Sequence, residues 1–311
     1  MTTAEAPRVR YRTLVWDSDR WNGFTFRDND IVISTPPKCG TTWMQMQCAL
    51  LLFRTPILPQ PLAQLSPWLD MNTRPIAEVF EDLTTQTHRR FIKTHTPLDG
   101  LPWDERVTYL HVARDPRDVA MSWQHHLSNI DNERFIAARI NAVGLDDLAE
   151  LGLDGTAAAA LSDDPEEQFW QWMEHREDAV SRSGLSDLVH HSATFWDRRD
   201  ATNIHLFHYA DQRADLAGQM DRLATALTVR PPTPDLVVAA QFDAMKARAD
   251  ELVPNSDTPF WKTSGGFFNR AGAGLWRDLI GDEALMRYQA ALATNTSDAE
   301  LIAWLHNGWG R

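Results

Sequence analysis

The stretch Asp30–Trp43, DIVISTPPKCGTTW, decides the fold. Ile31-Val32-Ile33 is a short continuous apolar run, the pattern of a strand buried on both faces. Pro36 and Pro37 end it. Lys38, Gly40, Thr41 and Thr42 follow at once, and Met44–Phe53 carries a helical pattern that stops before Pro56. Strand, Lys/Gly/Thr loop, helix is the layout of an anion cradle. Backbone N–H groups of the loop and of the helix N-terminus converge on the ligand, the lysine adds a point charge and the hydroxyls add donors. The expected ligand is a phosphorylated nucleotide. The loop is not the common nucleotide P-loop, which needs Gly, four residues, then Gly-Lys-Ser/Thr. Here the lysine precedes the glycine.

Outward from this unit, short apolar runs alternate with helical patterns. Arg90–Lys93 (RFIK), Val107–Ala113 (VTYLHVA) and Asn203–Tyr209 (NIHLFHY) read as strands. Asp115–Leu127 reads as a helix with Asp115 as its cap and Pro116 in its first turn. Further helices are expected over 166–180, around Phe195 and Trp196, over 211–227, 235–251 and 282–292, and near 299–305. Residues 54–89 are proline-punctuated with short helices, and 129–165 are acidic, Ala/Gly-rich and weakly patterned. Residues 254–275, with Gly265-Gly266 and Gly272/Gly274, read as a long functional loop. Trp16, Trp21, Phe24 and Phe26 are expected to pack on the core. The alternation argues for one α/β domain over 1–311, a central parallel sheet flanked by helices.

The 311 residues carry a formal charge of −13, which argues against broad nucleic-acid binding. A nucleotide pocket needs only a few local cations, so it stays open. No apolar run approaches a membrane span. The N-terminus, MTTAEAPRVRYRTL, lacks an apolar signal core, so a cytoplasmic protein is expected. Cys39 and Cys48 are the only cysteines, which excludes a disulfide scaffold and argues against a cysteine zinc site. No metal is called for. Cys39 sits at a helix N-terminus where a thiolate would be favoured; it reads as a small residue filling the loop.

Three more segments carry chemistry. Arg114 leaves the end of the VTYLHVA strand, and ligands sit at the carboxyl ends of strands in open α/β sheets. Ser122 lies eight residues on, about two helical turns, on the same side. An arginine fork with a hydroxyl makes a site for a second phosphate. Lys93-Thr94-His95-Thr96-Pro97 places a histidine just past another strand end. With 11 histidines, any one is more often structural; His95 stands apart through its position and its lysine neighbour. An imidazole titrating near neutral pH suits abstraction of a proton from a hydroxyl. Phe267–Trp276, FFNRAGAGLW, adds Arg270 and a run of small residues.

Lys-Cys-Gly-Thr-Thr-Trp resembles the 5′-phosphosulfate loop of the cytosolic-type sulfotransferases. Those enzymes have a P-loop-NTPase-like fold and take a sulfuryl group from 3′-phosphoadenosine 5′-phosphosulfate (PAPS), releasing 3′-phosphoadenosine 5′-phosphate (PAP). Arg114–Ser122 is similar to the family's RxxxDVxxS segment and Lys93–Pro97 to its KTHxP segment. Phe267–Trp276 resembles RKGxxGxW with three departures: Asn269 for arginine, Arg270 for lysine and Ala271 for glycine. The resemblance covers roughly residues 29–278.

It implies that Lys38, Cys39, Gly40, Thr41 and Thr42 hold the 5′-phosphosulfate. Arg114, Ser122 and Arg270, with Ala271 and Gly272, would hold the 3′-phosphate. Trp43 and Phe242 would flank the adenine, and Tyr209 would complete the cofactor site. His95 would be the general base, Lys38 would stabilise charge on the leaving oxygen and Lys93 would steady the sulfuryl oxygens. The segment after Trp276 does not reproduce the family's dimer element, and the oligomeric state is left open.

FIKTHTPLDG, SPWLD and LFHYAD look especially like actinobacterial glycolipid sulfotransferases. The expected acceptor is a small molecule or lipid-linked group (an apolar alcohol, phenol or glycolipid) between walls from 14–26, 66–80 and 129–165. Two other readings remain. An ATP-dependent small-molecule kinase would need Mg²⁺ and ignore a 3′-phosphate. A non-catalytic PAP-binding protein would bind PAP without turnover.

Overall fold

The computed structural model describes residues 5–151, 162–175, 182–254, 260–268 and 272–310. Its apolar runs form β1 (Ile31–Ser34), β2 (Phe91–Thr94), β3 (Thr108–Ala113) and β4 (Ile204–His208). Among the described residues these make one parallel sheet in the order β2-β1-β3-β4. Ile31 stands opposite Phe91 on one side and Thr108 on the other, and Tyr109 opposite Ile204. Strand side chains alternate between faces. Ile31, Ile33, Leu110, Val112 and Phe207 pack into one apolar core, and Val32, Ile92, Tyr109, Ile204 and Leu206 into a second. Both faces are therefore covered, which is why the strands are continuously apolar. From β1 the chain crosses to β2 on one side and then to β3 on the other. The topological switch point lies between β1 and β3, where open α/β sheets take their ligands.

Helix α1 (Thr41–Phe53) follows β1 and lays Met44, Met46, Leu50 and Leu51 on the first core. The helices Pro165–Glu174, Leu185–Trp196 and Ala299–Asn307 cover the other face. The helix Pro116–Ser128 starts as expected, with the Asp115 carboxylate accepting from the Arg117 N–H. Among the described residues no helix is long and apolar enough to cross a membrane.

Several expectations are corrected. The helix expected over 211–227 is two, Tyr209–Ala214 and Leu216–Ala226. Asp215 leaves helical geometry between them and caps the second through the Gly218 N–H. The segment 235–251 is three short helices, Pro234–Ala239, Phe242–Ala247 and Ala249–Leu252. The weakly patterned 129–165 holds a 12-residue helix, Asn132–Val143, ended by Gly144 with its positive φ of 87°. The helix expected over 166–180 ends at Glu174; residues 176–181 lie outside the described residues.

Candidate active site

Each strand delivers one candidate residue at its carboxyl end: β1 leads to Lys38, β2 to His95, β3 to Arg114 and β4 to Tyr209. The β1 loop turns through two left-handed residues, Lys38 (φ 67°) and Gly40 (φ 104°). Gly40 is required on two counts. L-residues avoid that φ, and a Cβ there would sit 3.1 Å from the Tyr209 ring. α1 begins with no side-chain cap and no acidic residue in its first turn. Its leading N–H groups are free to donate to an anion. Lys38, Gly40, Thr41, Thr42 and Trp43 line a cavity of about 1020 Å³. Thr41 is fixed by a 2.6 Å hydroxyl pair with Thr35. The Cys39 thiol is buried in the core, and burial pushes it up to about 12, so it carries no thiolate at neutral pH. Its only route to a ligand is its backbone.

Arg114 reaches back over the loop. It donates to the Lys38 carbonyl (3.0 Å) and the Gly272 carbonyl (3.0 Å), and its guanidinium lies 4.3 Å from the centre of the Tyr209 ring. Among the described residues its buried Nε has no partner. Ser122 and Phe242 line the same cavity. Trp43 is held by a 2.8 Å bond from its indole N–H to the Ala240 carbonyl and meets Tyr209 edge-on. Arg270 and Ala271 lie outside the described residues; Gly272 is placed as Arg114's acceptor.

His95 is buried, and its Nδ1 donates to the Thr35 carbonyl at 2.7 Å. A carbonyl only accepts, so Nδ1 carries the proton and Nε2 is left as the base. Burial first, then the Lys93 charge, holds the imidazole well below its usual range and hence neutral. Trp68 meets the ring edge-on at 4.6 Å, and the Lys93 ammonium lies over the Trp68 face at 4.1 Å. Burial and the neighbouring Lys38 bring Lys93 down to about 7; burial and Arg114 bring Lys38 down to about 8. His95, Lys93 and Lys38 line one cavity with Arg114 and Ser122. Two lysines and an arginine around an open helix N-terminus, with a neutral imidazole beside them, can bind a polyanion and deprotonate a hydroxyl.

The family model described as "Sulfotransferase domain" matches residues 28–300. The chain belongs to the sulfotransferase family. It is 40% identical over 319 residues to a glycolipid sulfotransferase of Mycobacterium bovis (strain BCG / Pasteur 1173P2), covering 97% of this chain and 95% of that one. Solved structures share the fold at lower identity. Retinol dehydratase in complex with retinol and PAP matches with a TM-score of 0.64 and 19% identity, over 90% of this chain and 84% of that one. A mouse sulfotransferase complexed with PAP matches with 0.64 and 15%, over 92% and 90%.

The rest of this sulfotransferase's cavity is rich in aromatic residues. Leu14–Trp16, Trp68, Met71, Ile130 and Phe135 come from the expected walls, whereas Trp21 and Phe26 pack in the core. Phe260, Trp261, Phe267 and Phe268, from the segment read as a functional loop, and Trp172 line it too. Three residues were not assigned roles from sequence. Asp118, four residues after Arg114, accepts from the Gly274 N–H at 2.7 Å and ties that segment over the site. His126, one turn beyond Ser122, accepts from the Lys38 ammonium at 3.4 Å and packs on Trp261. Its spacing from Ser122 was the available signal. Asp70, in the SPWLD segment, is fully buried beneath His95 and carried no chemical signature of its own.

Proposed function

We propose that this sulfotransferase acts as one catalytic domain, in the cytoplasm, to transfer a sulfuryl group from PAPS to a hydroxyl of an apolar or glycolipid acceptor. The observation that carries the reading is His95, its Nδ1 committed to Thr35 and its ring lining the cavity that the Lys38 loop also lines. Fit to the donor is supported by the uncapped α1 N-terminus, the Gly40 cradle and the unpartnered Nε of Arg114. PAP in the structural neighbours and the glycolipid named for the mycobacterial relative add support.

Bound PAPS supplies the sulfuryl group. Lys38, Gly40, Thr41 and Thr42 hold its 5′ end; Arg114, Ser122 and Arg270 hold the 3′-phosphate, with Ala271 and Gly272 beside it; Trp43, Phe242 and Tyr209 seat the adenine. His95 Nε2 would take the acceptor's proton while PAPS supplies the sulfuryl group to the acceptor oxygen, the bond from sulfur to the 5′-phosphate oxygen breaking and PAP leaving. Lys38 stabilises charge on the departing oxygen and Lys93 on the sulfuryl oxygens. The aromatic walls exclude water and hold the acceptor.

Thermal unfolding with PAP, AMP and ATP–Mg²⁺, on the wild type and Arg114→Ala, tests the donor. A ligand that binds only the folded state adds about 2.7 kcal/mol at 100 times its dissociation constant. A large rise with PAP, small with AMP, and equalised in Arg114→Ala is expected. A rise with ATP–Mg²⁺ alone would replace this reading with a kinase.

A further inference from the structure

Asp70 is a carboxylate with no exposed surface and four side-chain hydrogen bonds, all received. The indole N–H groups of Trp68 (2.7 Å) and Trp21 (3.0 Å) donate to it, as do the hydroxyls of Thr94 (2.5 Å) and Thr96 (2.6 Å). We propose that Asp70 is the positioning residue of the catalytic base, fixing Thr94 and Thr96 on either side of His95 and Trp68 against its ring. The inference rests on the reading of His95 as the general base.

The partners argue for it. Thr94 and Thr96 flank His95 in the chain, and Thr94 Oγ1 also accepts from the Thr96 N–H at 2.9 Å. The Thr96 carbonyl takes the Ser34 hydroxyl at 2.6 Å, tying the same turn to the end of β1. With both flanks pinned, His95 can reach one acceptor, the Thr35 carbonyl, and keep Nε2 free. Trp68 stands perpendicular to the His95 ring and carries Lys93 over its face, so one carboxylate orients an aromatic that touches two candidate catalytic groups.

The residue type argues for it as well. The two indole N–H groups can only donate, Trp68 to Oδ1 and Trp21 to Oδ2, and an ionised carboxylate accepts at both oxygens without donating. Asparagine would aim an N–H₂ at a donor. A buried charge is costly unless fully paired, and apolar residues would fill the same space. The carboxylate is explained by what its bonds hold.

The test uses the full chain. Long-range ¹H–¹⁵N spectra report the imidazole tautomer, with the His95 signal identified by its loss in His95→Asn. Wild type should show His95 as the Nδ1–H tautomer, and Asp70→Asn a mixture. Turnover is read with PAPS and octyl glucoside as the glycolipid probe. Asp70→Asn should lower kcat about 10- to 100-fold, the scale of a small misplacement of a catalytic group. PAP affinity should fall by less than kcat does, because the Lys38 loop and Arg114 make no hydrogen bond to Asp70 and only Lys93 loses the support of its charge. Thr96→Val, which keeps the carboxylate and three of its bonds, should fold if Asp70→Asn does not, and should lower kcat in the same direction.

In a His95→Asn background, Asp70→Asn should cost nothing further. An unchanged tautomer and unchanged kcat in both variants, or the same loss with and without His95, would overturn the proposal. Full turnover by His95→Asn would instead sink the general-base reading, and the spectra would still report whether Asp70 holds the ring.

Discussion

Raising the pH from 7 to 9 should weaken PAP binding far more than titration of PAP itself allows. Lys38 and Lys93 are the cause. Both are packed around one site with Arg114; burial and Arg114 bring Lys38 down to about 8, and burial and Lys38 bring Lys93 down to about 7, from an ordinary 10.5. Lys93 is 5% exposed, and Lys38 stays partly open to the cavity. In the free enzyme at pH 8, Lys38 is about half charged and Lys93 about one-tenth charged. A bound phosphate beside them restores both charges.

Binding should then take up about 1.4 protons at pH 8 and about 0.6 at pH 7, and the dissociation constant should rise about 10²- to 10³-fold from pH 7 to 9. A phosphate's second pKa, near 6, lies below this window, and arginine does not titrate in it. Calorimetry of PAP binding at pH 8 in Tris and in HEPES, which differ in ionisation enthalpy, counts the protons. Lys93→Met should lower the uptake to about half a proton or less, since the remaining lysine is the better charged one. Uptake near zero in the wild type at pH 8 would show that both ammonium groups are already charged in the free enzyme, and the reasoning from burial would fail.

Gly40→Ala forces a methyl-bearing residue to φ 104° and against the Tyr209 ring. It should cost about 1–3 kcal/mol in urea unfolding and weaken PAP binding through the displaced ring on which Arg114 rests; unchanged stability and affinity would count against the cradle. Acid should destabilise the protein early. His95, His111 and His191 are buried and His126 half-buried, and all four are held neutral, chiefly by desolvation, His111 down to about 3. Folded values below the unfolded 6.5 mean that stability is full above pH 6.5 and is lost as pH falls toward 3. His111 alone should cost about 3 kcal/mol at pH 4.5. Urea unfolding that gives equal free energies at pH 7.5 and 5 would refute this.

What the sequence showed best was whatever lies next to a strand end. Lys38, His95, Arg114 and Tyr209 each follow an apolar run within a few residues, so a strand pattern and a polar tail sufficed to bring them to one edge. What it hid depends on distant pairing. The 235–251 pattern reads as one helix because its apolar residues keep helical spacing through Gln241 and Arg248, where the backbone turns. Asp215, an ordinary helix cap, was masked because helical patterns run on both sides of it. Arg139 gives no apolar signal, yet it is fully buried. It donates to the Leu14 carbonyl at 2.8 Å and pairs with Asp147, so it anchors a segment whose pattern looked too weak for a core.

The same division runs through the site. The proposed donor cradle is built at the ends of β1 and β3, so its requirements appear as fixed local spacings. The acceptor wall is made where residues 129–131 pair with 260–262. The Asp131 N–H meets the Phe260 carbonyl and the Lys262 N–H meets the Asn129 carbonyl, each at 2.8 Å. That pairing brings Phe260 and Trp261 beside Phe135 and His126. No local pattern announces it, because loops more than a hundred residues apart answer only to each other. Substitutions there can reshape the proposed acceptor space without moving Lys38, His95 or Arg114. His126 is where the two halves touch, its ring in the acceptor wall and its Nδ1 on the Lys38 ammonium. A change at His126 should therefore register in acceptor choice and donor affinity together, as a change at Phe135 or Phe260 should not.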